Sequence, residues 1–385
     1  MKYWRGFLVA VIVGFFSWLL IDFASGHTLL IDMIYPYVTR MFQTTLAQWA
    51  SSVTFCLWQL FAVVLLLGFL TTIVLMIVLR WNFFQWLGWV TAAISVVFFL
   101  HTAIYGLNLY SGSIATDIQL NVTEYTLTEL ENATVYFRDE ANKLATQVDR
   151  TPDGDVRFSS FQTLADQAGE GFEHLVYEDK HPVFAGSTVP VKELGWADLF
   201  TSMGTTGFTM PLTGEAAVNP QTPAVALPFT MCREMARRMC IANDGSANMA
   251  AFLACQNNSS IEFQYSAYFM AYRFCYNALI SQGTAEAQEA AQRITSGVSD
   301  ELYQDMATYT LFFSSNKDEK AMDFANKFSD AYIKASGREP GVDAYGSVCD
   351  LLVSWHIQEF VVPLQKEEQE KFDPYDESKV FPPAA

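Results

Sequence analysis

Residues 53–105 read VTFCLWQLFAVVLLLGFLTTIVLMIVLRWNFFQWLGWVTAAISVVFFLHTAIY. Two apolar runs, Val53–Leu79 and Phe83–Tyr105, are separated only by Arg80-Trp81-Asn82. Coiled as a helix, each is long enough to cross the roughly 30 Å of bilayer hydrocarbon. The single charge in all 53 positions is Arg80, placed in the tight turn. Toward the N-terminus a third run, Phe7–Phe23, follows a Met-Lys-Tyr-Trp-Arg start. No small-x-small cleavage site closes it and two further runs follow, so it reads as a span and not as a cleaved signal. Residues 24–52 between the first two spans read as a loop. The expected organisation is a three-span region over 1–106, with everything later outside the bilayer.

Charge divides the chain at the same place. Residues 1–106 carry Lys2, Arg5, Arg40, Arg80, Asp22 and Asp32, a net of +2, whereas the 385-residue chain totals −18, leaving −20 for 107–385. So acidic a remainder repels nucleic acid and anionic lipid headgroups, which excludes DNA and RNA as partners. Lys2 and Arg5 before the first span and Arg80 in the turn predict a cytoplasmic N-terminus. Residues 107–385 are then extracytoplasmic, in a multi-pass protein of the cell membrane. Trp81, Trp86, Trp89, Tyr105 and Tyr110 suit interfacial belts. Asp22 is read as snorkelling at a helix end, and Gln59 as a helix–helix hydrogen bond.

Beyond Leu107 the texture becomes that of amphipathic helices. Thr126-Leu-Thr-Glu129 has the form of a capping box, followed by apolar residues at helical spacing to about Val148. Thr151-Pro-Asp-Gly-Asp155 is a turn. Residues 180–228, rich in Gly, Pro and Thr, read as loops with a hairpin. Helices are expected at 159–177, 229–241, 246–256, 261–281, 285–296, 299–314, 318–336 and 343–361. The charged, Pro-rich tail 363–385 reads as disordered. Cys56, Cys232, Cys240, Cys255, Cys275 and Cys349 form no CxxC and no disulfide framework, and read as small buried apolar residues.

The stretch nearest to chemistry is Cys232–Cys255, CREMARRMCIANDGSANMAAFLAC. A zinc peptidase uses two histidines at i and i+4, one turn apart on one helix face, with a glutamate after the first to take a proton from the bound water. Here Glu234 has the position of that glutamate, but Arg233 and Arg237 occupy both ligand positions. A guanidinium stays protonated and offers no lone pair to a metal. On its own, a glutamate flanked by arginines reads as a solvated, ion-paired helix face. Met231, Cys232, Met235, Ala236, Met239 and Cys240 make this helix largely buried instead, so its arginines need acidic partners. The candidates are Glu234, Glu215 and Asp244.

Several pieces together resemble a bacterial membrane-anchored family of unknown function, numbered 3810. They are Gly106-Leu-Asn-Leu-Tyr110, Tyr125-Thr-Leu-Thr-Glu-Leu130, Pro211-Leu-Thr-Gly-Glu-Ala-Ala-Val-Asn219, Leu227-Pro-Phe-Thr230, Ala247-Asn248, Ala254-Cys255, Tyr265-Ser266 and Asp343-Ala-Tyr-Gly346. The resemblance implies a mainly α fold: three N-terminal transmembrane helices, then a helical zincin-like domain over 107–362 with a loop and short-strand segment. It also implies an HExxH-type site in which the two histidines fall on Arg233 and Arg237, and a downstream glutamate before Ala-Asn falls on Ser246. Glu215, Asp244 and Asn248 would support that site. With three ligands replaced, no cofactor is expected, and the reading is a pseudoenzyme that binds a protein or peptide ligand at the cell surface. Two alternatives stand beside it. One is an active metallopeptidase holding zinc through Asp244, Cys232, Cys240 or Glu215. The other is a structural membrane scaffold.

Overall fold

A computed structural model describes residues 2–316, 318–338 and 346–364. The chain is mainly helical, with one small mixed sheet. Three helices are long and apolar enough to cross a membrane: α1 (Arg5–Gly26) and, after α2 (Thr28–Ala50), α3 (Leu57–Val78) and α4 (Phe83–Ile104). α1 and α4 are packed against each other. Their crossing rests on glycine: a Cβ on Gly6 would stand 2.4 Å from the Gly88 carbonyl carbon, and one on Gly88 would press on the Phe7 ring at 3.0 Å. α3 buries almost none of its length; Asn82 caps α4, and the Trp86 indole donates to Thr72 Oγ1 at 3.1 Å across the turn.

Residues 24–52 are not the expected loop. α2 is a continuous helix that carries Pro36 inside it. Its polarity is inverted: Thr39, Arg40 and Gln43 are buried, while Leu29, Met33, Met41 and Trp49 are 72–79% exposed. With its polar side packed on protein, no charged stripe marks it in the sequence.

Then come α5 (Ile114–Asp117), α6 (Leu127–Ala145), α7 (Phe161–Gln167) and α8 (Glu170–Tyr177). The capping box forms as read: Thr126 Oγ1 accepts from Glu129 N and the Glu129 carboxylate accepts from Thr126 N at 2.7 Å. The Thr151–Asp155 turn closes through a 2.8 Å backbone bond, with Gly154 at φ +88°. Residues 180–228 contain β1 (Lys192–Glu193), α9 (Ala197–Ser202), β2 (Gly207–Met210) and β3 (Glu215–Val218). β2 and β3 form the hairpin, antiparallel with Phe208 opposite Ala217; β1 joins β3 in parallel, giving the order β1-β3-β2.

The remaining helices are α10 (Leu227–Arg238), α11 (Asp244–Gln256), α12 (Ile261–Ser281), α13 (Ala285–Thr295), α14 (Asp300–Ser315), α15 (Glu319–Ala335) and α16 (Gly346–His356). The stretch read as 343–361 thus begins, within the described residues, at Gly346, and a wider turn, Ile357–Val361, ends it. Most of the expected tail, 365–385, lies outside the described residues. The core forms where α10, α11 and α12 pack on one another and on α6 and α16. Phe137 stacks on Trp355, and Phe252 meets Trp355 edge-on at 5.0 Å. All six cysteines are buried and free.

Two sequence readings are corrected here. Tyr105 is not in an interfacial belt; it is buried beneath α10, its hydroxyl donating to the Arg237 carbonyl at 2.9 Å. Gln59 makes no helix–helix bond. Its amide donates to Gly195 O at 2.8 Å and accepts from Gly195 N at 3.0 Å, a two-bond clasp on the loop after β1.

Candidate functional site

α10 begins with Pro228 in its first turn, where a missing N–H costs nothing. Met231, Cys232, Met235 and Ala236 are fully buried, fixing the rotation of the helix. That rotation turns Glu234 inward against β2. The approach is close: a Cβ on Gly207 would lie 2.7 Å from Glu234 Cγ. The Glu234 side chain has no exposure, so its charge must be met locally.

It is met on every side. Arg233 donates from Nε to Glu234 Oε1 at 3.1 Å, and its Nη2 lies 3.0 Å from the same oxygen. Arg237 Nη1 donates to Oε1 at 3.3 Å. The Thr209 hydroxyl donates to Oε2 at 2.8 Å. Arg233 also reaches Thr206 Oγ1 at 3.1 Å, and Arg237 binds Asp244 at the start of α11. Burial works against the Arg237 charge, but Glu234 and then Asp244 outweigh it and hold the guanidinium above its ordinary value. Arg233, Glu234, Arg237 and Asp244 are therefore one ion cluster, tying α10 to the hairpin and to α11.

The other predicted positions make no side-chain hydrogen bond to this cluster among the described residues. Ser246 Oγ accepts from Ile114 N at 3.2 Å. Asn248 is buried, and its Oδ1 has no partner among the described residues. Cys232 Sγ faces Ala168 O at 3.7 Å, whereas Cys240 lies against the Thr39 hydroxyl of α2 at 3.3 Å. Burial pushes the Cys240 thiol up to about 11. Glu215 does not approach the arginines. It pairs with Lys192 at 2.7 Å, and both side chains are buried. Among the described residues, no three His, Cys, Asp or Glu side chains gather as a metal-binding group. Nor does the ion cluster suit a divalent cation, since two guanidiniums stand beside the single buried carboxylate.

The Glu215–Lys192 pair was missed at the level of sequence, and it joins the sheet to the membrane region. Glu215 Oε1 and Oε2 accept from the first N–H groups of α3, Leu57 at 2.7 Å and Trp58 at 2.9 Å. A carboxylate at a helix N-terminus satisfies donors that the helix cannot. Lys192 Nζ donates to Ala50 O and Phe55 O, at 2.7 and 2.9 Å, closing the α2–α3 connection from the other side. The available signal was a charge set directly against a short apolar run: Lys192 after Val189-Pro-Val191, and Glu215 before Ala-Ala-Val218.

Two more arginines are held without carboxylates among the described residues. Arg40 of α2 is buried and donates to Met239 O at 3.0 Å and Pro182 O at 3.1 Å. Met239 O is a C-terminal carbonyl of α10, where a cation complements the helix dipole. Arg238, 2% exposed, donates to the carbonyls of Ser187 and Val189, and burial pushes it down to about 10. Sequence reasoning singled out Arg233 and Arg237 and passed over Arg238, although it is the most deeply buried of the three.

Neither the curated proteins nor the solved structures contain a match to this chain. A family match does exist, and it covers residues 31–353, which take in most of α2, α3, α4, the sheet, the ion cluster and most of α16. With well over half of its length matched, this chain belongs to the family described as Protein of unknown function (DUF3810).

Proposed function

We propose that this membrane protein carries a metallopeptidase-like domain that does not catalyse hydrolysis, and that it recognises a protein or peptide ligand on the extracytoplasmic side. In this reading Arg233 and Arg237 stand in place of a metal ion. The observation that carries it is the saturation of Glu234, whose carboxylate is bound by two guanidiniums and a hydroxyl. A general base needs a free lone pair aimed at a water. Here the only catalytic candidate on the helix is committed to cations that do not release it. The N-terminus is cytoplasmic and residues 107–385 are outside, a topology supported by Lys2, Arg5 and Arg80.

Elemental analysis of the purified full-length chain, dialysed without chelator, tests the metal part. The expected result is no stoichiometric zinc and no chelator-sensitive peptide cleavage. One zinc retained per chain overturns the proposal and promotes a metallopeptidase with substitute ligands. A reversal experiment tests the layout itself. The triple substitution Arg233→His, Arg237→His and Ser246→Glu is expected to gain about one zinc per chain. Failure of a folded triple variant to take up zinc removes the metallopeptidase-like layout and leaves the scaffold reading.

A further inference from the structure

α2 has a second surface, distinct from the side that holds Arg40. From Leu29 to Phe42, apolar residues recur in pairs every four positions on the exposed side, and Trp49 extends that side beyond the uncharged Thr45 and Gln48; Leu29, Met33, Ile34, Met41, Phe42 and Trp49 are all 53–79% exposed. No charged side chain interrupts them. An exposed apolar stripe of this length marks an interaction surface. We infer that α2 lies flat in the bilayer interface, with this stripe sunk among the lipid headgroups and upper acyl chains, and that it serves as the plate on which the domain after residue 106 is mounted.

The occupant follows from connectivity. Only His27 separates α2 from α1, and only residues 51–56 separate it from α3. Both ends are therefore tethered to the ends of membrane-spanning helices, the second by a link of at most about 20 Å. A free second copy of the chain has no such claim on this face.

The opposite side of α2 rules out a spanning pose. Asp32 accepts from Gly112 N at 2.8 Å, and Gln43 Nε2 donates to Pro211 O at 3.0 Å. Lys192 reaches Ala50 O, and the Ala47 backbone lies against Gly214 so closely that a Cβ there would stand 2.6 Å from Ala47 N. These contacts run from residue 32 to residue 50, about 27 Å of helix. A helix bonded to a polar domain along that length cannot also cross the hydrocarbon. It can present one side to protein and the other to lipid, which is the inverted polarity that α2 has. Because the stripe is uncharged, its insertion does not depend on anionic lipid, in keeping with a chain of net charge −18.

The test uses the full-length chain in vesicles, spin-labelled at Met33→Cys or Met41→Cys, with Glu289→Cys on α13 as the aqueous control. All six native thiols are buried, and the wild-type chain labelled in parallel supplies the blank. Power-saturation EPR reads accessibility to oxygen against a soluble nickel chelate. The inference expects oxygen to be favoured at 33 and 41, at a depth of roughly 5–10 Å, and the chelate to be favoured at 289. Values at 33 and 41 should be the same in pure phosphatidylcholine and in vesicles one-third phosphatidylglycerol.

Chelate-favoured signals at 33 and 41 overturn the inference, as does a depth at the bilayer centre. Spin–spin broadening with exclusion of both reagents overturns it in favour of a second copy. A requirement for phosphatidylglycerol overturns its apolar basis. None of these readouts depends on whether the ion cluster binds metal.

Discussion

Arg233 and Arg237 bind the same oxygen of one fully buried carboxylate, and this sharing makes their contributions non-additive in a predictable direction. With Arg233→Ala alone, Glu234 keeps Arg237 and Thr209; with Arg237→Ala alone, it keeps Arg233 and Thr209. Each arginine is partly exposed, 20% and 26%, so each single loss is discounted by solvent screening to about 1–2 kcal/mol. The double variant leaves a buried carboxylate without a cation, which costs about 3–5 kcal/mol for the last step alone. The double should therefore exceed the sum of the singles by about 1–4 kcal/mol.

A sharper form of the same logic uses Glu234→Gln. In the natural background this substitution removes charge-assisted bonds to two guanidiniums and destabilises by about 2 kcal/mol. In the double-alanine background it removes the orphaned charge and should stabilise by a similar amount. Thermal unfolding of the full chain in detergent, followed by near-UV circular dichroism, reads both, at roughly 2–4 °C per kcal/mol. Singles that add up to the double, or a Glu234→Gln that lowers Tm in both backgrounds, would refute the picture of one carboxylate shared by two cations.

Three further outcomes are expected. Lys192→Met should destabilise by about 3–5 kcal/mol by stranding Glu215, and Glu215→Gln added to it should recover part of that loss in the same melt. Gly207→Ala should cost about 1–3 kcal/mol, because the new methyl meets Glu234 Cγ; a neutral result would mean that the strand does not press on the site. Burial holds the Cys255 and Cys275 thiols well above their ordinary value of 9.0, and the Tyr265 phenol well above 10.0. The folded chain thus keeps protons that the unfolded chain releases. This stability is fully present below about pH 9 and is lost as pH rises from there toward the folded values. Denaturant midpoints that stay flat from pH 8 to 10.5 would contradict it.

The membrane-spanning helices were legible because an apolar run of twenty residues has few other fates, and α13 because its apolar period matches the face it buries, Ala287, Ala290, Ala291 and Ile294; α15 was legible by the same kind of period although it buries none of its residues. α2 was not legible as a helix for the converse reason. Its apolar residues face away from the protein and Arg40 faces inward, so the usual rule of polarity misreads it. The ion cluster was half legible. Arg237 to Glu234 follows from helical spacing and Asp244 from proximity in sequence, but Thr209 arrives through the hairpin. Glu215 shows the limit most clearly. Nothing local says that its carboxylate belongs to α3, more than 150 residues earlier in the chain.

That distance has a consequence for biogenesis. The amide of Leu57 is bonded by a side chain 158 positions downstream. At a synthesis rate of about 5–20 residues per second, Glu215 is made roughly eight to thirty seconds after Leu57. Through that interval the second span is already in the bilayer with its first turn uncapped, and only interfacial water can satisfy it. The span is therefore inserted first and finished later. A chain stopped before Glu215 should insert α3 normally, yet show rapid amide exchange at Leu57 and Trp58. The slow exchange of those two amides would then report, from inside the membrane region, that the distant hairpin has folded.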